Sequence, residues 1–418
     1  MPVKRSDIIT LSINAQVYRH LCCAAYTARK VKSVASATCC ESSPVVSVSA
    51  PASSVGPGAG ALEKLIAPLV EPSVFDFWAG LINPAWSWSR SLARVVERRV
   101  EAQDAVTLVL QPNKHCGKVR PGQHLNVSAW VNGRRTTRSY SITNVPGRDK
   151  RLEITVKRTE GGKLSTHICR ELRVGDLLEL GPAFGEMTLP AHPQGKWLYL
   201  AAGSGITPLM SLTRQLAAQK MPVDLQLIYW AKTRAELCFQ RELRELSQRH
   251  AGFRLQVVLT HEAQTLDDEA SGFISQAQLA ELVTDLPERQ IYACGPGGFI
   301  DTARELTAGV ARSFLAEGFT PSAPSAPAMA SEVTTVRVQL RQSGRALDVS
   351  SGQSLLVALE EAGLNPASGC RMGICHTCVC TKHEGTVQDI NTGDQDTEPD
   401  THVRLCVSRA VTDLSLDL

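Results

Sequence analysis

Four of the five cysteines in the last fifty residues constrain this 418-residue chain more than any other feature. Cys370, Cys375 and Cys378 have the spacing C-x4-C-x2-C, and Cys406 follows 28 residues later. Four thiolates at this spacing are typical of a plant-type 2Fe–2S site, whereas zinc usually takes two paired C-x2-C knuckles. A tight loop also lets backbone N–H groups point at the cluster sulfurs. The spacing therefore predicts an iron–sulfur domain over 333–418.

Composition and charge exclude several classes of protein. The 44 basic and 41 acidic residues give a net charge of +3, too small for a nucleic-acid-binding surface. No apolar stretch approaches the roughly 18–20 residues that a membrane span needs. Thirteen cysteines in a long chain do not suit a small secreted disulfide framework, and a reducing cytosol suits the cluster. We expect several domains in a cytoplasmic protein without nucleic-acid contact, membrane-associated at most through a partner.

The first part of the chain changes character near residue 61. Residues 1–60 are rich in Ser, Ala and Val, have a net charge of +4 and show no period, which predicts a disordered tail or a mis-assigned start; a transit peptide is the alternative. Residues 61–91 contain Trp78, Trp86 and Trp88. This segment is predicted to be a helical lead-in that packs on the next domain. The alternative is an aromatic surface for a membrane interface or a membrane-bound partner.

Two different patterns of strands and helices follow. Residues 92–192 contain short β-runs separated by turns, which predicts an antiparallel barrel or sandwich. In residues 193–319 strands alternate with helices, including a charged helix expected over 234–249, which predicts a parallel α/β sheet. A Pro/Ala/Ser linker over 320–332 separates this domain from the iron–sulfur domain.

Two motifs in the predicted barrel suggest a phosphate cradle. The first is an R-x-Y-S pattern at a strand end, and the second is a Gly-Gly-Lys-Leu-Ser-Thr run before a helix. Their polar and glycine residues are Arg138, Ser139, Tyr140, Ser141, Gly162, Lys163, Ser165 and Thr166. Glycines at a helix N-terminus favour anion binding through unpaired N–H groups and the helix dipole. A Ser-capped turn is the alternative for the second motif, and together the two motifs indicate a flavin phosphate site.

The parallel domain contains a glycine-rich turn between a buried strand and a helix. Its residues are Gly203, Gly205, Thr207 and Pro208. The turn lacks the full G-x-G-x-x-G fingerprint, which disfavours an ordinary dehydrogenase, but its position suits a pyrophosphate. A second run, Cys294-Gly295-Pro296, ends another strand at the same sheet edge.

Two cations follow the strand that ends at Trp230. Lys232 and Arg234 stand where a carboxylate would bind a ribose 2′-hydroxyl, so a 2′-phosphate and hence NADPH are favoured over NADH. The alternative is that both residues begin a solvated helix.

In this order, the motifs resemble the ferredoxin–NADP reductase superfamily with a C-terminal plant-type ferredoxin domain, over 92–418. The resemblance implies a multidomain fold with an antiparallel β-barrel flavin domain, a parallel-sheet α/β nicotinamide domain and an α+β β-grasp ferredoxin domain. It also implies FAD, an NADPH site and a 2Fe–2S cluster. Arg138 would bind the flavin phosphates, Tyr140 would stack on the flavin, and Phe319 would lie close to it.

The resemblance also assigns the remaining motif residues. Ser139 and Lys163 are included in the flavin site, Gly162, Ser165 and Thr166 hold its pyrophosphate, Gly203, Gly205, Thr207 and Pro208 hold the nicotinamide nucleotide, and Cys294, Gly295 and Pro296 flank the nicotinamide. Hydride passes from the nicotinamide to the flavin near Ser141 and Cys294, and single electrons then pass through the cluster. No catalytic acid or base is required.

A narrower resemblance concerns the electron acceptor. The lead-in around Trp86, the loop from Cys370 to Cys378 and the closing Cys406-Val-Ser are similar to the electron-transfer partner of bacterial acyl-CoA desaturases. The expected function is electron transfer from NADPH to a membrane di-iron fatty acyl desaturase. One alternative is the reductase of a ring-hydroxylating or alkane oxygenase. The other is a non-catalytic carrier or redox sensor, in which the extra cysteines at 22–23 and 39–40 would act.

Overall fold

A computed structural model describes residues 72–320 and 334–418. The predicted tail with its cysteines at 22, 23, 39 and 40, the beginning of the lead-in and all but the first residue of the predicted linker lie outside the described residues. No helix in the described ranges is long and apolar enough to cross a membrane.

A short helix, α1 (Pro72–Ile82), lies within the predicted lead-in. Pro72 is its first residue, a position where the missing N–H of proline costs nothing. One face of α1 packs on the following chain: Phe75 meets Trp88 edge to face with ring centroids 5.2 Å apart. The Asp76 carboxylate accepts hydrogen bonds from the Ser87 hydroxyl at 2.9 Å and the Trp88 backbone N–H at 2.6 Å. These contacts fasten the helix to the segment around Ser87 and Trp88 that leads into the next domain.

The antiparallel domain (92–184) is a six-stranded sheet in the order β4-β3-β6-β1-β2-β5. Its elements are β1 (Leu92–Ala102), β2 (Ala105–Pro112), β3 (His124–Val131), β4 (Arg134–Ser141), β5 (Leu152–Lys157), α2 (Lys163–Arg170) and β6 (Leu177–Phe184). All its strand pairs are antiparallel. An isolated β-bridge between Ile142, just after β4, and Ile154 of β5 joins the two edge strands and so closes the sheet into a barrel. Buried aliphatic residues such as Leu108 and Leu125 fill the interior.

The parallel domain (196–318) has the strand order β10-β9-β8-β7-β11-β12, with every pair parallel. Its elements are β7 (Lys196–Ala202), α3 (Ile206–Ala218), β8 (Asp224–Ala231), α4 (Gln240–Arg249), β9 (Phe253–Leu259), β10 (Glu269–Ser271), α5 (Gln276–Leu282), β11 (Arg289–Gly295), α6 (Gly297–Thr307) and β12 (Ser313–Gly318). Helices cover both faces, so β7 is an almost unbroken buried apolar run.

One element of this domain starts later than the sequence predicts. The charged helix expected from residue 234 begins at Gln240, and Arg234–Glu236 forms a separate 3₁₀ turn. Between them Leu237 and Phe239 turn into the core, and Phe239 has a left-handed φ of 58° that ends helical geometry. Burial of these two side chains therefore takes precedence over the charged helical pattern.

The C-terminal domain (335–418) has a five-stranded mixed sheet in the order β14-β13-β20-β15-β18 and a small sheet in the order β17-β16-β19. Its elements are β13 (Thr335–Leu340), β14 (Ala346–Ser350), α7 (Leu355–Glu361), β15 (Val379–Glu384), β16 (Val387–Asp389), β17 (Gln395–Asp396), β18 (Thr401–Arg404), β19 (Ser408–Ala410) and β20 (Leu414–Leu416). The Ser354 hydroxyl caps α7 by accepting from the Val357 N–H at 3.4 Å. The loop between α7 and β15 contains three of the four predicted cluster ligands.

Candidate redox site

One cleft of about 580 Å³ is lined by all three domains. The antiparallel domain contributes both phosphate motifs, the parallel domain contributes its glycine-rich turn and chain end, and the C-terminal domain contributes the cysteine loop. Predicted residues in its lining are Arg138, Ser139, Tyr140, Ser141, Gly162, Lys163, Ser165, Thr207, Phe319, Cys370 and Cys406. This volume matches that of small-molecule sites. We refer to it below as the redox cleft.

Strand β4 presents the R-x-Y-S motif to this cleft. Arg138 donates from Nη1 to the Thr137 carbonyl at 2.7 Å, and Ser139 donates its hydroxyl to Asn126 Oδ1 at 2.6 Å. Burial, and then the charge of Arg371, lower the pKa of Arg138. Burial raises the pKa of Tyr140, so its hydroxyl stays neutral. The motif thus combines a desolvated cation with a neutral aromatic ring, which suits an anionic group attached to a flat apolar one.

A buried hydrogen-bonded chain continues from this motif. The Ser141 hydroxyl lies 2.9 Å from His124 Nδ1, and His124 Nε2 lies 2.5 Å from Glu317 Oε2. All three residues are buried. Phe319 closes the array, with its ring edge to face with His124 at 6.1 Å.

Sequence reasoning missed His124 and Glu317 as site residues. They are 193 positions apart, and no local spacing connects them. His124 begins β3 beside Ser141 at the end of β4, and Glu317 comes from β12 of the other domain. The only available signal was that Glu317 directly precedes the Gly-Phe pair at the end of the predicted nicotinamide domain.

The glycine-rich run of the antiparallel domain forms the turn into α2, and Gly162 is its N-cap. The Ser165 hydroxyl accepts from the Thr159 N–H at 3.2 Å, and a Cβ on Gly162 would lie only 2.4 Å from that hydroxyl oxygen. The Ser-capped turn that the sequence left open is therefore absent, because no side chain caps α2 and the Ser165 hydroxyl instead bonds the preceding turn. Lys163 also lines the cleft, so the turn still presents a cation and a helix N-terminus to it.

The second glycine-rich turn links β7 to α3. Gly203 has a left-handed φ of 55°, whereas Gly205 lies against the backbone of β11: a Cβ there would be 1.9 Å from the Cys294 carbonyl oxygen. The Thr207 hydroxyl donates to the Ser204 carbonyl at 2.9 Å, and both residues line the cleft. The turn is thus held close to the end of β11.

Cys294 lies beneath this turn. It is fully buried, with its Sγ 3.3 Å from Met187 Sδ. Burial raises the pKa of the Cys294 thiol well above its ordinary value, so it stays protonated. Gly295 and Pro296 follow it into the start of α6.

The two cations after β8 differ in their surroundings. Lys232 is exposed. Arg234 donates to Glu269 from Nε at 3.0 Å and from Nη2 at 2.6 Å, and its backbone N–H donates to Glu262 at 2.8 Å. Arg244 also reaches Glu269, at 3.2 Å. Arg234 is therefore neutralised within the protein, and of the predicted pair Lys232 is the exposed cation.

The cysteine loop wraps around its own sulfurs. Cys370 Sγ accepts from the backbone N–H groups of Met372 and Cys375, both at 3.3 Å, and the Cys370 N–H donates to Cys375 Sγ at 3.2 Å. Three loop residues have left-handed φ values: Arg371 at 60°, Gly373 at 78° and His376 at 54°. These conformations close the loop tightly and turn N–H donors toward sulfur.

The four cysteines fit an iron–sulfur cluster. All carry free thiols, and Cys378 and Cys406 are buried. The contact between Cys370 and Cys375 lowers the pKa of Cys375 and raises that of Cys370, and the contact between Cys406 and Cys378 likewise lowers the pKa of Cys378 and raises that of Cys406. Four sulfur donors with N–H groups aimed at them are the donor set of a 2Fe–2S centre.

Several predicted residues lie within the described chain but outside the cleft lining. They are Thr166, Gly203, Gly205, Pro208, Lys232, Arg234, Cys294, Gly295, Pro296, Cys375 and Cys378. The structure thus brings the two flavin motifs and the cluster loop together directly. The nicotinamide motifs meet the cleft mainly through Ser204 and Thr207.

Comparison with known proteins identifies all three domains. Residues 93–188 match the oxidoreductase FAD-binding domain, residues 199–305 the oxidoreductase NAD-binding domain, and residues 338–411 the 2Fe-2S iron-sulfur cluster binding domain. These matches confirm the predicted fold class, the NAD(P)H-dependent oxidoreductase and the cofactors FAD, NAD(P)H and a 2Fe–2S cluster.

Individual relatives span nearly the same domains. An NADPH oxidoreductase of Mycobacterium tuberculosis is 36% identical over 87% of this chain and 93% of its own. The glycine betaine monooxygenase reductase subunit of Chromohalobacter salexigens is 29% identical over 80% of this chain and 96% of its own. The solved structure of phthalate dioxygenase reductase matches with a TM-score of 0.54 and 25% identity, over 78% of this chain and 97% of its own.

Proposed function

Because this chain belongs to the oxidoreductases that join FAD-binding, NAD-binding and 2Fe-2S domains, we propose that it is the reductase component of a two-protein oxygenase or desaturase system. In this role it takes electrons from NADPH and delivers them through FAD and the cluster to a di-iron fatty acyl desaturase. The observation that carries the proposal is the redox cleft, because the motifs for flavin and cluster line the same cavity, beside the nicotinamide turn.

When bound, a nicotinamide would supply a hydride, a flavin would divide the electron pair, and a 2Fe–2S cluster would carry one electron at a time. Residues of all three domains line the cleft that would hold these groups. We propose that Arg138 and the turn at Gly162 bind the flavin phosphates and that Tyr140 stacks its ring on the flavin. Cys370 and Cys406 line the same cleft, so the cluster site opens directly onto the flavin site.

The hydrogen-bonded side chains of Ser141, His124 and Glu317 orient polar groups at the end of the cleft where we expect hydride transfer. His124 holds the Ser141 hydroxyl on one side and the Glu317 carboxylate on the other. Because all three residues are buried, the Ser141 hydroxyl is held by protein contacts rather than by solvent. We propose positioning roles for these residues.

NADPH is the proposed donor. Lys232 is exposed at the carboxyl end of β8, where a 2′-phosphate would lie, and the Mycobacterium relative is described as an NADPH oxidoreductase. Arg234 supports the site by holding the loop at Glu262 and Glu269. We do not assign Arg234 to the phosphate.

Helix α1 supports a membrane-bound acceptor. The face opposite its packed residues carries an apolar stripe at helical spacing: Val74, Phe77, Trp78, Leu81 and Ile82, all exposed. Phe77 and Trp78 are 63% and 62% exposed, and Trp86 beyond the helix is also exposed. Aromatic and aliphatic side chains of this kind bind at a bilayer interface. We propose peripheral membrane contact through this stripe, next to a membrane-embedded desaturase.

A soluble oxygenase is the second candidate acceptor. The observation that favours it is that the Chromohalobacter relative and the phthalate dioxygenase reductase are described as reductases of oxygenases. In that case the stripe on α1 would contact an oxygenase subunit rather than lipid.

The first experiment is an anaerobic titration of the purified protein with NADPH and, separately, NADH, followed by its visible spectrum. We expect loss of both flavin and iron–sulfur absorbance, faster with NADPH. Bleaching of the flavin alone would contradict electron transfer to the cluster. Equal rates with both donors would contradict the assignment of Lys232.

The acceptor is tested with the paired variant Phe77→Ser/Trp78→Ser. We expect it to lose flotation with phospholipid vesicles and electron delivery to a desaturase in those vesicles, while ferricyanide reduction stays unchanged. Trp130→Ser is the matched control, because Trp130 is 67% exposed on β3 rather than on α1. Unchanged vesicle binding in the paired variant would refute the membrane contact, and reduction of a soluble oxygenase by the wild type alone would favour the second candidate.

A further inference from the structure

Two arginines from different domains face the redox cleft. Arg138 comes from β4 of the antiparallel domain, and Arg371 comes from the cysteine loop. The two guanidinium groups are close enough to repel each other, and this repulsion adds to the burial of Arg138. Since like charges brought together are destabilising, an anion between them would relieve a cost already present in the fold.

Only some of the hydrogen-bond donors of the Arg371 side chain have an acceptor among the described residues. Its Nη2 donates to Glu360 Oε1 at 2.5 Å. Its Nε is buried, and no acceptor among the described residues lies within hydrogen-bond distance. A buried donor without a partner costs about 1–3 kcal/mol, so a ligand that supplies an acceptor would be favoured. Among the described residues Glu360 is the carboxylate that pairs with Arg371, and Lys163 adds a further cation to the cleft lining.

The position of Arg371 is fixed by contacts of its loop with the barrel. Asn126 on β3 donates from Nδ2 to the Thr377 hydroxyl at 2.9 Å. A Cβ on Gly369 would lie 2.7 Å from Asn126 Oδ1, so the loop and strand approach closely there. Met372 and Ile374 line the cleft on either side of Gly373. Arg371 therefore reaches the cleft from a loop that is held against β3, the direct neighbour of β4.

We propose that Arg371 binds the phosphate of the flavin nucleotide together with Arg138. The flavin is then held from two domains, and its binding fastens the cluster loop to the barrel. A guanidinium group suits this role because it offers several donors to phosphate oxygens at once. The proposal rests on the flavin site of the proposed function and is independent of which protein accepts the electrons.

The test is flavin binding to the full chain after its flavin has been removed, without NADPH. Riboflavin, FMN and FAD are titrated separately and followed by flavin fluorescence. For Arg371→Gln we expect the dissociation constants of FMN and FAD to rise by about 10- to 100-fold, the effect of losing a charged hydrogen-bond donor. Riboflavin has no phosphate, so its dissociation constant is expected to stay unchanged.

Two control variants accompany this substitution. Arg337→Gln makes the same charge change at an exposed position of β13, outside the cleft lining, and is expected to bind all three flavins like the wild type. Glu360→Gln removes the carboxylate that competes for Arg371, and we expect its affinity for FAD to equal or exceed that of the wild type. Iron content and cluster absorbance are measured in each variant to verify that the loop is intact.

Three results would overturn the proposal. These are an Arg371→Gln dissociation constant for FAD within twofold of the wild type, an equal loss of affinity for riboflavin and FAD, or a loss in Arg337→Gln as large as in Arg371→Gln. As a second readout, FAD should slow amide hydrogen exchange over 370–378 in the wild type and not in Arg371→Gln. Absence of any flavin binding in the wild type would instead contradict the proposed function itself.

Discussion

Replacement of Gly205 by alanine tests whether the glycine-rich turn is defined by backbone packing. The added Cβ would lie 1.9 Å from the Cys294 carbonyl oxygen and 2.7 Å from the Gly295 nitrogen. Real contacts of this kind are essentially never shorter than 3.0 Å, so the gap must open by at least about 1.1 Å. Neither side yields easily, because β11 is paired on both edges and Ile206 and Leu209 of α3 are fully buried.

We expect Gly205→Ala to lower the free energy of unfolding by about 3 kcal/mol or more, at the upper end of overpacking substitutions. For a cooperative unfolding unit of about 150–250 residues that corresponds to a fall in Tm of roughly 6–12 °C. The measurement is thermal unfolding of the protein without nucleotide, followed by circular dichroism, so that lost binding does not enter the result. NADPH binding, measured separately, should also be lost.

Gly203→Ala is the matched control. Within the described residues no heavy atom lies within 4 Å of its added Cβ, so its cost is only the left-handed φ of 55°. That conformation costs an alanine about 1 kcal/mol, which predicts a fall in Tm of roughly 2–4 °C. If Gly205→Ala were as stable as Gly203→Ala, the close approach of the turn to β11 would be refuted.

Three further predictions concern other parts of the molecule. Cys378→Ser should abolish iron–sulfur absorbance and cluster iron while flavin binding persists; retained iron would contradict its role as a ligand. His124→Ala should slow flavin reduction by NADPH in stopped-flow measurements by roughly tenfold, because Ser141 and Glu317 lose their shared partner, and an unchanged rate would argue against a positioning role. The hydrogen bond from Arg234 lowers the pKa of Glu269 to about 2, so the stability that this ion pair contributes should be complete above about pH 4.5 and lost as the pH falls toward 2. Glu269→Gln should remove this pH dependence of the free energy of unfolding, measured by urea unfolding at several pH values. The same pH dependence in the variant and the wild type would contradict it.

Much of the domain order follows from sequence because it depends on local patterns. Buried runs such as β7 and the alternating runs of the antiparallel domain are recognisable one segment at a time. β1 is harder to recognise, because its charged residues Arg94, Glu97 and Arg98 interrupt the apolar pattern, although Ala93 and Val95 are fully buried. A strand with one solvated face can carry many charges, so composition alone conceals it.

The candidate site was predictable only where its chemistry is local. The cysteine loop at 370–378 and the R-x-Y-S motif at 138–141 are each confined to a few consecutive residues, and both reach the cleft. The contact between His124 and Glu317, and the approach of Arg371 to Arg138, join residues from different domains. Such contacts arise from tertiary packing, which no short spacing encodes. Arg234 illustrates the converse, because its carboxylate partners stand 28 and 35 residues away and neutralise a cation that looks available in the sequence.

The strand order of the C-terminal domain has a consequence for biosynthesis. β20 (Leu414–Leu416) lies between β13 and β15, at the middle of the five-stranded sheet. During translation, Cys370, Cys375 and Cys378 therefore leave the ribosome before the strand that completes their domain. Cluster assembly on this chain must then follow translation of residue 416, and a nascent chain stalled earlier would expose three unshielded thiols to oxidation.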